Sequence, residues 1–104
     1  MTLRPPTRFG ALASRQGSPN PLEVEIAAEM ASALGRAGDK VEQTLGRLRA
    51  HERGAPERIA LLKDAAEAVY AYFIQRELCG MRRHHDVIRE YQIPNEVLIR
   101  LGAK

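Results

Sequence analysis

The run Arg82-Arg83-His84-His85-Asp86 is the part of this chain that comes nearest to a ligating or reactive cluster. Metal donors on one helix must stand three or four residues apart to share a face. His84 and His85 are adjacent, so on a helix they diverge by about 100°. Cys79 falls off the matching face, and His51 lies far away in the chain. No metal or cofactor is therefore expected. As a contact for an anion, a nucleic acid or an acidic partner, Arg82, Arg83, His84 and His85 are a better fit. Yet Glu77, Asp86 and Glu90 are interleaved with them, and Arg82 and Asp86 have the i, i+4 spacing of a helical ion pair. A charge-mixed, solvated helix face is the plainer reading.

Nucleophilic catalysis finds no support. Cys79 lies in an apolar stretch, where a free thiol behaves as small hydrophobic filler. Ser14, Ser18 and Ser32 have no glycine-framed turn, and the carboxylates are spread singly along helical segments. The glycines punctuate helices and form no phosphate-binding loop. The chain is not expected to be an enzyme.

The formal net charge of +3 is confined to one end. Residues 1–22 hold Arg4, Arg8 and Arg15 and no acid, whereas residues 23–104 balance 13 basic against 13 acidic side chains. Phosphate neutralisation needs a concentrated basic face, and the body has one only if its acids lie elsewhere. At 104 residues the chain is one domain at most. No apolar run approaches the roughly 20 residues that span a bilayer, and the first 20 residues lack the apolar segment of a secretory signal. The single Cys79 forms no intrachain disulfide. A cytoplasmic protein without membrane contact is expected.

The elements that position these residues are helical. Residues 1–19, rich in Pro, Gly and Ser, are expected to form a flexible basic arm. The alternatives are an arm that docks Phe9 and Leu12 on a helix pair, and a transit peptide, which Pro5 and Pro6 disfavour. Asn20, Pro21 and Glu23 form a helix-start signal. Ala27, Met30, Leu34, Ala37, Val41, Thr44 and Leu48 then follow at steps of three and four, predicting a helix over 20–52. Gly54 stops it. A second helix is predicted over 56–91 and a short one over 94–101, the latter opened by Pro94. The short connection makes the long helices antiparallel neighbours. The fold class is thus all-α: a long antiparallel helical hairpin with a short C-terminal helix, residues 20–104 forming one domain.

A turn near Gly54 sets Tyr70 opposite Gly38 and Phe73 opposite Gly35. Two readings of those glycines stand: close packing under aromatic rings, or a helix break with Asp39 capping a new helix. The same register brings the Arg82–His85 cluster near Glu23, Glu25 and Glu29.

Residues 68–75 carry no charge, and Val69, Tyr70, Tyr72, Phe73 and Ile74 point in nearly every direction around a helix. A helix apolar all round must be covered all round. A lone hairpin has too little to cover it with, so these five residues are expected to form a homodimer interface, giving a four-helix bundle. The functional expectation is a small non-enzymatic interaction or adaptor protein, with Val97, Leu98 and Leu101 docking a protein partner. The alternative is a nucleic-acid-associated protein that uses the arm arginines with the Arg82–His85 cluster.

Overall fold

The computed structural model describes residues 20–102 as an all-α fold. Four helices follow in order: α1 (Pro21–Arg49), α2 (Arg58–Leu78), α3 (His85–Glu90) and α4 (Asn95–Leu98). The expected arm, residues 1–19, lies outside the described residues.

Helix α1 starts as its sequence dictates. The Asn20 Oδ1 accepts the Glu23 backbone N–H at 2.8 Å, and Pro21 occupies the first turn. The helix runs unbroken through Gly35 and Gly38. Its buried stripe is Gly38, Val41, Thr44, Leu45 and Leu48. The Thr44 hydroxyl, fully buried, donates back to the Lys40 carbonyl at 2.8 Å, so it loses no hydrogen bond on leaving water.

Helix α2 ends at Leu78, thirteen residues before the predicted end at Tyr91. The cause is Gly80. Its φ of +91° lies in the left-handed region open to a residue without a Cβ. The Gly80 N–H bonds the Glu77 carbonyl at 3.0 Å and the Met81 N–H bonds the Arg76 carbonyl at 2.9 Å. That pair of bonds is the Schellman helix stop. The chain then turns back as α3. A second stop of the same pattern follows, with Ile93 N–H on the Ile88 carbonyl and Gln92 N–H on the Arg89 carbonyl, and Gln92 takes φ 54°. The expected helix over 94–101 is shorter as an α-helix, Asn95–Leu98, and continues as turns.

The returning C-terminal segment makes a third layer. Val87, Ile93 and Val97 are buried in one cluster with Val41, Leu45 and Leu48 of α1 and Leu62, Ala65, Val69, Tyr72 and Phe73 of α2. This corrects two expectations. Val69, Tyr72 and Phe73 are covered by their own chain, at 0, 7 and 9% exposure, so they are not available to a dimer interface. Val97 is fully buried and so is not available to a partner, while Leu98 and Leu101 are half-buried against the same core.

Of the two readings for the α1 glycines, close packing holds at Gly38 alone. A Cβ there would meet the Tyr91 hydroxyl at 2.9 Å and the Tyr72 ring at 3.5 Å, whereas one at Gly35 meets nothing within 4 Å. The partner of Gly38 is Tyr72, two residues along from the Tyr70 that the register suggested. Gly35→Ala should therefore gain about 1 kcal/mol from helix propensity alone. Gly38→Leu should lose about 1–3 kcal/mol through overpacking. Urea unfolding of the two variants checks both signs.

Candidate interaction surface

The polar groups around the Gly80 reversal form the densest network in the fold. Arg76 is buried at 7% exposure, and a buried charge must be paired. Its Nε–H donates to His84 Nδ1 at 3.2 Å, its Nη2 donates to the Arg83 carbonyl at 2.9 Å, and the same nitrogen lies 3.5 Å from Asp86 Oδ1. Because His84 Nδ1 accepts, Nε2 carries the proton and faces Glu77 Oε2 at 2.9 Å. The imidazole is stacked on Phe73, with centroids 4.2 Å apart and planes 3° from parallel. The Val87 backbone N–H, donating to Asp86 Oδ1, and then the Arg76 charge hold the Asp86 carboxyl below the usual carboxylate range, outweighing its loss of hydration. These groups fasten the turn between α2 and α3. Each of Arg76, His84, Glu77 and Asp86 has a partner within the network.

The predicted basic cluster is therefore divided. His84 points inward. Arg82, Arg83 and His85 are exposed, the first two in the loop after Gly80 and the third at the start of α3. The suggested Arg82–Asp86 pair gives way to Arg76–Asp86. Among the described residues no ion pair joins the cluster to Glu23, Glu25 or Glu29; Glu29 pairs with Arg36 at 3.1 Å.

At the other end of the hairpin, Arg58 closes the fold. It donates to the Leu48 carbonyl at 3.0 Å and the His51 carbonyl at 2.6 Å, capping α1, and its Nη2 meets Glu96 Oε2 at 2.6 Å. The shallow cleft beside it, about 420 Å³, is lined by Arg53, Arg58, Ile59 and Glu96 among others. Glu96 faces both guanidinium groups, 2.6 Å from Arg58 and 3.8 Å from Arg53, so a single carboxylate is shared between two cations and Arg58 takes the closer contact. Among the described residues no three His, Cys, Asp or Glu side chains converge on a point where a metal ion would sit, and no helix is long and apolar enough to cross a membrane.

The outward side of α2 carries an apolar row beside its charged residues Lys63, Asp64, Glu67 and Glu77. Tyr70, Ile74 and Leu78 are exposed at 47, 40 and 46%. Their spacing of four residues sets them in one row on the side away from the core. Tyr70 and Ile74 belong to the predicted dimer interface. Leu78 was missed, because the uncharged stretch that drew attention stops at Gln75. Arg49, Arg58 and Glu96 were missed as well. Their sequence neighbourhoods look like ordinary solvated helix, and only the chain reversals bring their partners to them.

Arg76→Met keeps the bulk and removes the donors. It should lower stability by about 1–3 kcal/mol, the cost of leaving the His84 nitrogen and Arg83 carbonyl unpaired. Amide exchange over residues 81–87 should quicken more than that of the α1 core, which hydrogen-exchange mass spectrometry can read.

No curated protein and no solved structure gives a match to this chain. A family model does match, over residues 5–104, which takes in the hairpin, both reversals and most of the basic arm. On that match the chain belongs to DUF6665, a family of unknown function.

Proposed function

We propose that this protein is a non-enzymatic interaction module that pairs with a second copy of itself through the outer face of α2. The observation that carries the reading is the exposed row Tyr70, Ile74 and Leu78. Over two turns of helix it extends about 12 Å. Gly102 approaches the Tyr70 ring, so the end of the described chain borders the row on one side. Apolar rows of this kind are self-complementary about a two-fold axis. Two α2 helices packed antiparallel along it would form the centre of a four-helix bundle. The dimer then serves as an adaptor in the cytoplasm, holding two copies of the Arg82-Arg83-His85 loop for an acidic protein partner.

Sedimentation equilibrium from micromolar to millimolar concentration tests the pairing. The expected mass rises to twice the 11.6 kDa of the chain. Ile74→Glu, at an exposed position, should keep the helical circular dichroism and stay at one chain mass. A wild-type protein that stays monomeric across the whole range sinks the reading.

The second reading, nucleic-acid association, rests on Arg82 and Arg83, which are exposed and outside the ion pairs found among the described residues. Binding of labelled DNA or RNA at about 50 mM salt, weakened at about 200 mM, is its signature. Arg82→Ala with Arg83→Ala should flatten the salt dependence by about two phosphate contacts. Absence of binding at the lower salt removes it.

A further inference from the structure

The face of α1 that packs on α2 continues past the point where α2 stops. Gly38 faces Tyr72. Carried along antiparallel helices of equal rise, that register sets Leu78 level with about Ser32. Residues 21–31, roughly 16 Å of helix, run on beyond it. Leu22, Ile26 and Met30 recur at four-residue steps along this overhang and lead into Leu34 and Gly38 of the hairpin seam. Leu22 is 64% exposed and Ile26 42%. The overhang is also acidic. Glu23, Glu25 and Glu29 lie on it, and within α1 the first basic residue is Arg36. The Glu23 Oε2 is enclosed and lacks a hydrogen-bond partner among the described residues.

We propose that this strip is the docking site of the chain's own N-terminal segment, residues 8–15, folded back along α1. The segment's chemistry complements the strip. Phe9 and Leu12 supply apolar bulk, and Arg8 and Arg15 supply positive charge with no acid among them. Its length fits too. At about 3.3 Å per extended residue, five or six residues cover the overhang. Gly17-Ser18-Pro19, just before the Asn20 cap, has the composition of the reversal that is required. The family match begins at residue 5 and so spans Phe9 and Leu12 together with the hairpin. Linkage to the same chain adds affinity, because the segment is held at high effective concentration beside its site. A second copy of the chain is the weaker occupant, since its overhang brings the same three glutamates to face these.

Trypsin cleavage after Arg8 and Arg15, timed by mass spectrometry, tests the docking. A synthetic peptide of residues 1–19 sets the undocked rate. In the full chain both bonds should be cut at least about tenfold more slowly than in the peptide. Ile26→Asp, at an exposed position, should bring them close to the peptide rate, and so should Phe9→Ala with Leu12→Ala. Ile74→Glu, which tests the separate α2 surface, should leave the protection intact. Cleavage of the wild type at the peptide rate overturns the proposal. Protection that grows with protein concentration also overturns it, by assigning the strip to a second copy.

Discussion

The whole arrangement answers one constraint: α2 is apolar on more sides than a single antiparallel helix can cover. Burial of large apolar and aromatic side chains is the main favourable term in a chain this small. Val69, Tyr72 and Phe73 share one broad face of α2 that α1 covers only in part, since Tyr72 also meets Tyr91 and Phe73 stacks on His84. The chain meets the demand by stopping α2 at Gly80 and laying residues 85–101 back over it. Val87, Ile93 and Val97 then close the core that the hairpin leaves open. Ten of the residues in that returning segment, six in α3 and four in α4, belong to two helices too short to form alone in water. They exist because they have the α2 surface to pack on.

Arginines hold the reversals in place. Arg76 fastens the loop after Gly80, Arg49 donates to the Tyr91 and Gln92 carbonyls at 2.6 and 3.0 Å, and Arg58 donates to the Leu48 and His51 carbonyls. Each sits where a helix ends and carbonyls lack helical partners. The planar guanidinium reaches two such acceptors at once, which a lysine ammonium does less well. This internal use of arginine explains why a basic composition need not mean a basic face. The three layers come closest where the Tyr91 and Tyr72 rings meet edge to face over Gly38. Burial of the Tyr91 hydroxyl, with the neighbouring Tyr72, pushes its pKa up to about 12, so it stays neutral and tolerates the enclosure.

The hairpin was legible because its signals are local. Asn20, Pro21 and the three-four spacing of α1 need no knowledge of the rest of the chain. The small Gly38 opposite bulky aromatics was legible too, with a register error of two residues. The end of α2 was not. Val87, Ile88 and Tyr91 continue the helical apolar period past Gly80, and one glycine inside a helix costs only about 1 kcal/mol. Whether that glycine interrupts or ends the helix is decided by what the chain gains beyond it, which is burial against Tyr72 and Phe73. Gln92 was illegible for a similar reason: it takes a left-handed conformation that its residue type does not announce, and the Arg49 hydrogen bonds hold it there. The expectation that Val69, Tyr72 and Phe73 need a second copy to cover them follows from the same miss, since an unbroken α2 has no third layer.

The reversal at Gly80 also decides how much apolar surface the molecule has left to offer. An all-round girdle handed whole to a partner would make an obligate, hydrophobic interface of the kind that fuses two half-cores. With the inner face of α2 spent on its own chain, the described residues keep, besides single exposed side chains such as Ile59 and Ile99, two open apolar rows: Tyr70, Ile74 and Leu78, and the α1 overhang. Each is a narrow strip, and narrow strips bury too little to hold two chains together irreversibly. The proposed association through the α2 row is therefore expected to be a concentration-dependent equilibrium. The last eighteen described residues, and not a second copy, complete the core, so the fold does not depend on assembly.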